Sequence, residues 1–273
     1  MIGVSKIQKA NRLRKSAQYG KRSKKESKKL QKPLNQPVSR LSPSKKKFLA
    51  EVIGTFIVVV LATGSVVLDA RFGRVLGLPF IAFAPFAGVA VSVYLFRKIS
   101  MAHFNPAVSV GFFITQHITV FQLVQYIAAE LVGAFLASLF VYATIGTYAS
   151  LGANAPNYSY PLPLIFGIEV LASALLMGVI YVVVHTKGLK GLSGIAIGGI
   201  VGLDIFFLSP ISGASMNPAR SLAPALLSGN PTNLWLYWSA TFIGTSTVAI
   251  IARYRNSRRR GETTTASTKE SQL

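Results

Sequence analysis

The sequence predicts an all-α membrane protein with six transmembrane helices plus two re-entrant half-helices in an inverted repeat. Three observations carry that prediction. Charge is segregated to the two ends of the chain. Six apolar segments are each long enough to cross a bilayer. An Asn-Pro-Ala tripeptide opens two further stretches that are too short to cross one.

The chain has 273 residues, is 51% apolar, and still carries a formal net charge of +21. Positions 1–47 hold sixteen Lys and Arg against one acid, Glu26. Positions 253–273 hold six basic residues and two acids. The 205 residues between them hold seven basic and five acidic side chains. An ordinary soluble domain has about 25% charged residues, so that class is excluded for the middle of the chain. The middle reads as membrane-embedded and the ends as solvated basic arms. Cysteine is absent, which removes disulfides, thiol catalysis and cysteine metal sites. His103, His117 and His185 are scattered and form no metal-ligand cluster in the sequence. His117 and His185 fall near span ends and read as interfacial. No catalytic constellation is present, so an enzyme is not expected, nor is a cofactor or a metal. More than forty Lys-rich residues precede the first apolar run, too many for a signal-peptide n-region, so that run is read as a retained span.

A spanning helix needs about 20 mainly apolar residues. Segments 48–68, 75–96, 118–143, 162–185, 189–208 and 232–252 qualify. The stretches 105–115 and 217–228 are half that length and read as half-helices, tolerated only where protein or a water-filled cavity surrounds them. Loops 97–98 and 185–191 are basic, while loop 144–161 has no Lys or Arg. The positive-inside rule then places both termini and the two basic loops in the cytoplasm.

Ile99-Ser-Met-Ala-His-Phe-Asn-Pro-Ala-Val-Ser109 aligns with Ile211-Ser-Gly-Ala-Ser-Met-Asn-Pro-Ala-Arg-Ser221 at seven of eleven positions, with a constant offset of 112. Glu51-Val-Ile-Gly-Thr55 in span 1 echoes Glu169-Val-Leu-Ala-Ser173 in span 4. The repeat halves run over about 48–146 and 162–254. Each has three spans, an odd number, so the second half is upside down relative to the first. Inverted repeats with broken helices at the midplane are a transport architecture. Asn105-Pro106-Ala107 and Asn217-Pro218-Ala219 then meet near the centre from opposite faces.

The residue types suit that meeting. Asn is a strong N-cap, and Pro is favoured at the first helical position because its missing N–H would be unpaired anyway. Two helix N-termini aimed at one point present about half a positive charge each, a field that repels cations and protons but spares neutral solutes. The non-helical backbone of 101–104 and 213–216 offers carbonyls as a ladder of acceptors along the path.

The paired motifs His103-Phe-Asn-Pro-Ala-Val and Met216-Asn-Pro-Ala-Arg220-Ser resemble the aquaporin (major intrinsic protein) family over about 48–254. Pro210-Ile-Ser-Gly-Ala-Ser-Met-Asn217 is similar to archaeal and nodulin-like permissive members. The resemblance implies the aquaporin fold, a homotetramer, and a passive channel for water that excludes ions and protons. It implies that Glu51 and Glu169 are buried acids holding loop amides and that His103 lies in the pore vestibule. It also implies a selectivity filter with Arg220, Ala214 and Ile205. The fourth filter position, usually aromatic, falls on Pro85 with Phe86 beside it. Either a helix irregularity at Pro85 lets Phe86 substitute, or the filter is wide. Ile205 stands where strict water channels have His, which favours amphipathic solutes such as glycerol. Tyr237-Trp238, Ser221 and Ala225 resemble the water-type pattern. Met101 stands where the family usually has Gly, and Glu130 where many members have Gln. Asp204 is expected in a packing network, and Gly194, Gly198 and Gly202 on a close-packed helix face.

The parts are thus a basic, disordered cytoplasmic tail over 1–47, a channel domain over 48–254 and a cytoplasmic C-terminal tail over 255–273. The first tail is expected to lie on anionic lipid. No nucleic-acid partner is expected, and the plasma membrane is the expected location. Two other readings compete: a proton-coupled small-solute transporter, and a membrane anchor acting through its basic tail.

Overall fold

A computed structural model describes residues 41–270, with side chains described through Arg258. The basic arm over 1–40 and the last three residues lie outside the described residues. Secondary structure among the described residues is helical. Six helices are long and apolar enough to cross a membrane. They are α1 (Pro43–Arg71), α2 (Gly77–Ser100), α4 (Val120–Thr144), α5 (Leu162–His185), α6 (Ser193–Ser212, entered through a 3₁₀ turn at Leu189–Leu192) and α8 (Leu234–Glu270). Two half-helices, α3 (Pro106–Ile114) and α7 (Pro218–Leu227), lie between them.

Most boundaries match the sequence reading to within a turn. At the ends the helices run further. Ser42 caps α1 by accepting from the backbone N–H of Lys45, so Lys45, Lys46 and Lys47 lie on the first turn of a helix. The last helix runs beyond residue 254 to Glu270. Polarity ends the membrane span near Arg258, while the helix itself runs on.

The two halves repeat their packing. Gly133 of α4 lies against α1 so closely that a Cβ there would sit 2.5 Å from the carbonyl oxygen of Val52. Gly244 of α8 meets α5 the same way, against the carbonyl oxygen of Val170. Between the halves, α2 and α6 cross along Gly194, Gly198 and Gly202. A Cβ at Gly198 would lie 2.5 Å from the Phe86 carbonyl oxygen. The expected small-residue face is therefore where these two helices touch.

The most extensive buried cluster lies between the halves, with smaller ones inside each. Val58, Val89, Val93, Leu176, Ile180 and Ile197, from α1, α2, α5 and α6, form one cluster with Phe104, Val108, Ala214 and Met216 of the two half-helix segments. The broken helices are thereby enclosed by protein, the condition under which irregular backbone survives at membrane depth.

Candidate functional site

Each Asn-Pro-Ala motif begins a half-helix. Asn105 has extended backbone angles, and its Oδ1 accepts from the N–H of Ala107 at 2.9 Å. Asn217 does the same for Ala219 at 3.0 Å and Arg220 at 3.3 Å. Pro106 and Pro218 take the first helical position, where no N–H is needed. The two caps also bind each other's loop. Asn105 Nδ2 donates to the carbonyl of Met216 at 2.7 Å, and Asn217 Nδ2 donates to that of Phe104 at 2.9 Å. Each asparagine thus ties itself to the residue preceding the other. At the opposite end of α3, Arg253 donates to the Ile114 carbonyl at 3.2 Å, a cation where the helix presents its negative end.

The loops ahead of the caps share one backbone path. Met101, Ala102 and Phe104 have φ of 72°, 60° and 53°. Gly213, Ala214 and Met216, each 112 residues later, have φ of 94°, 44° and 54°. Five of these six are not glycine, and left-handed backbone costs about 1–3 kcal/mol per non-glycine residue. The offset comes from fixed acceptors. Glu51 accepts from the N–H groups of His103 at 3.1 Å and Phe104 at 2.7 Å. Glu169, with both oxygens at 3.1 Å, accepts from the N–H of Ser215. Ser100 and Ser212 each accept from the N–H two residues on, both at 3.2 Å. Tyr126 and Tyr237 donate to the carbonyls of those two serines, both at 2.7 Å. Sequence reading singled out the two acids and Tyr237 but not Tyr126, because the two tyrosines sit 111 rather than 112 residues apart.

A cavity runs past both motifs. Its wall includes the aliphatic residues Val58, Val89, Leu176, Ile180, Val201 and Ile205 together with loop residues 102–105 and 214–217. Pro85, Ile205, Ala214 and Arg220 all line it. Phe86 lies off this wall. Helix α2 continues through Pro85, successive helical residues point about 100° apart, and Phe86 packs against Gly198 and Gly202. The helix irregularity that would have brought Phe86 round is not present.

His103 also lines the cavity and is buried. Its Nδ1 lies 2.8 Å from Ser109 Oγ, which donates to Glu130 Oε1 at 2.7 Å. The unusual Glu130 is therefore hydrogen-bonded to the first half-helix. Asp204 is buried off the cavity wall, and its Oδ2 has no hydrogen-bond partner among the described residues. The packing network expected for it is not seen at that oxygen.

Sequence reading also missed Asn154. Asn154, in the loop between α4 and α5, accepts from Arg220 Nη1 at 2.7 Å and from Ser221 Oγ at 2.9 Å. Its Nδ2 donates to the Gly213 carbonyl at 2.8 Å. That loop makes one left-handed turn at Ala149, Ser150 and Leu151 to reach this position. No local pattern marks Asn154, because its partners lie 59 to 67 residues away.

The profile of the major intrinsic protein family matches residues 39–252. The chain belongs to that family. It is 39% identical over 206 residues to Aquaporin NIP3-1 of Arabidopsis thaliana, covering 73% of this chain and 64% of that protein. The chain thus spans a little under two thirds of that relative's length. It is 33% identical over 208 residues to Nodulin-26 of Glycine max, covering 74% of each. Among solved structures, the aquaglyceroporin from Plasmodium falciparum superposes with a TM-score of 0.64 at 22% identity, over 77% of this chain and 94% of that one. That likeness establishes the fold. The family, the six spans and the paired half-helices make the chain a multi-pass integral membrane protein. The expected kinship with nodulin-like members agrees with the relatives found.

Proposed function

We propose that this chain is a passive channel for water and for small neutral solutes of about glycerol's size, closed to ions and protons. The observation that carries the reading is the meeting of two half-helix N-termini on the cavity wall, cross-tied by Asn105 and Asn217. Their combined positive ends repel cations. The aliphatic wall binds solute weakly, and the carbonyl stripe replaces the hydrogen bonds a solute leaves in water. Relatives named as aquaporins support the same reading. Pro85, Ile205, Ala214 and Arg220 form its selectivity filter, with His103 towards the vestibule. With proline and isoleucine at two of four positions, the filter is wide and apolar on one side, which admits the carbon face of glycerol while Arg220 takes its hydroxyls.

The working unit is a homotetramer in the plasma membrane, with both termini and the basic loops in the cytoplasm and the N-terminal arm on anionic lipid. Side-by-side osmotic assays on proteoliposomes test the function. Both water and glycerol relax faster than through empty vesicles. Water alone would refute the wide filter, and neither would refute the channel. Proton-driven solute uptake would favour a coupled transporter using the His103–Ser109–Glu130 chain.

A further inference from the structure

His117 and His185 are 68 residues apart, yet their Nε2 atoms lie 3.3 Å from each other. Their ring centroids are 5.2 Å apart with planes at 74°. Each ring's other nitrogen is engaged. His185 Nδ1 lies 2.8 Å from the Tyr181 carbonyl oxygen. A carbonyl only accepts, so that nitrogen donates, which leaves Nε2 as the ring's lone-pair nitrogen for a metal. His117 Nδ1 lies 2.8 Å from Thr115 Oγ1. That hydroxyl reaches the carbonyls of Gly111 at 3.0 Å and Phe112 at 3.2 Å. While it donates to them, it accepts from His117 Nδ1–H, and His117 Nε2 is also a lone pair.

We propose that His117 and His185 form a binding site for a borderline divalent transition-metal ion such as Zn²⁺, held by both Nε2 atoms. With a metal about 2.0–2.1 Å from each nitrogen at the tetrahedral angle, the two nitrogens lie about 3.3–3.4 Å apart and the ring centroids about 5.2 Å apart. Both observed separations meet that geometry. Metal-bound imidazoles donate their second N–H to an oxygen acceptor, as both rings here are placed to do. Packing fixes the ligands: His185 stacks on Tyr181 at 4.2 Å, and Tyr181 donates to Asn256 Oδ1 at 2.8 Å.

Access to His117 comes from a second cavity, lined also by Arg97, Lys98, Lys190 and Met101. It shares Val93 and Ile197 with the first cavity, so it continues that path to the mouth bearing the basic loops. With two ligands from the protein, water reaching His117 from this side supplies the rest. The charged groups around the pair are all basic. Arg97, Lys98 and Lys190 line the cavity, Arg253 donates to Ile114 O, and Lys187 follows His185 by two residues. Without carboxylates the site disfavours Ca²⁺ and Mg²⁺, whereas imidazole suits Zn²⁺, Cu²⁺ and Ni²⁺. Protons compete for the same nitrogens, so binding weakens as the pH falls.

The test is Zn²⁺ titration of the detergent-purified full chain against a fluorescent chelator near neutral pH. One ion per chain is expected, with His117→Asn and His185→Asn each weakening binding at least about tenfold. Size-exclusion elution of each variant checks that it is folded. Cu²⁺ electron paramagnetic resonance of the unsubstituted chain gives an independent reading, with hyperfine lines from two imidazole nitrogens that disappear on acidification. Zn²⁺ binding indifferent to both substitutions, no binding at all, or a Cu²⁺ spectrum with fewer than two nitrogens overturns the proposal. The readout is binding, so its failure leaves the permeation reading untouched.

Discussion

Asn154 holds Arg220 in place: its Oδ1 accepts from the guanidinium Nη1 at 2.7 Å while its Nδ2 is anchored to the Gly213 carbonyl. The arginine that lines the cavity therefore depends on an amide from a distant loop. A hydrogen bond to a charged group contributes about 1.5–3 kcal/mol. Asn154→Ala frees the guanidinium, and the expected result is a wider solute range with lower discrimination between water and larger polyols. Comparative permeability to a polyol series checks it. An unchanged series would separate Asn154 from the filter.

The filter itself is tested by Ile205→His and Arg220→Ala. The first puts a polar ring on the aliphatic wall and narrows the passage, so glycerol flux falls by roughly tenfold, about 1.4 kcal/mol, while water flux persists. The second removes bulk and charge, so glycerol flux rises. Stopped-flow light scattering reads both, and an unaltered glycerol rate in Ile205→His means that Ile205 does not set solute size.

Asn105 and Asn217 act reciprocally. Replacing either with Ala removes an N-cap, about 1 kcal/mol, and a buried cross-tie worth about as much. Each single variant is expected to lose about 1–3 kcal/mol of stability. Because both ties close the same junction, the losses are not additive in the double variant. A double-mutant cycle followed by thermal denaturation in detergent measures the coupling, and strict additivity would mean that the two loops are held independently.

Glu51→Gln and Glu169→Gln probe the strained loops. A carboxylate accepts at both oxygens, whereas glutamine has one acceptor and turns an NH₂ towards the backbone donors. Leaving a buried N–H unpaired costs about 1–3 kcal/mol. Both are expected to be damaging to a similar degree, because each acid holds the N–H groups of two successive loop residues, His103 and Phe104 for Glu51, Ser215 and Met216 for Glu169. Loss of folded yield and melting temperature is the measurement.

Much of this was legible in the sequence. Hydropathy located the spans, and the repeated Asn-Pro-Ala with the paired acids located the half-helices and their supports, because each signal is local or recurs at a fixed offset. Asn154 was not legible, since its importance lies in a fold-back that no periodicity encodes. Phe86 was ambiguous because one residue's rotation on a helix decides between pore and packing, and Gly198 and Gly202, far away in sequence, decide it. The meeting of His117 and His185 was hidden for the same reason: two scattered histidines become neighbours only once α5 ends beside the loop after α3.

The central claim is that water crosses and protons do not. Proteoliposomes loaded with a pH-sensitive dye test it in one mixing experiment, with an osmotic step and a pH step applied together. The account predicts shrinkage well above that of empty vesicles while luminal pH drifts no faster than in them. Shrinkage equal to empty vesicles, or a luminal pH that collapses with the water flux, would contradict it.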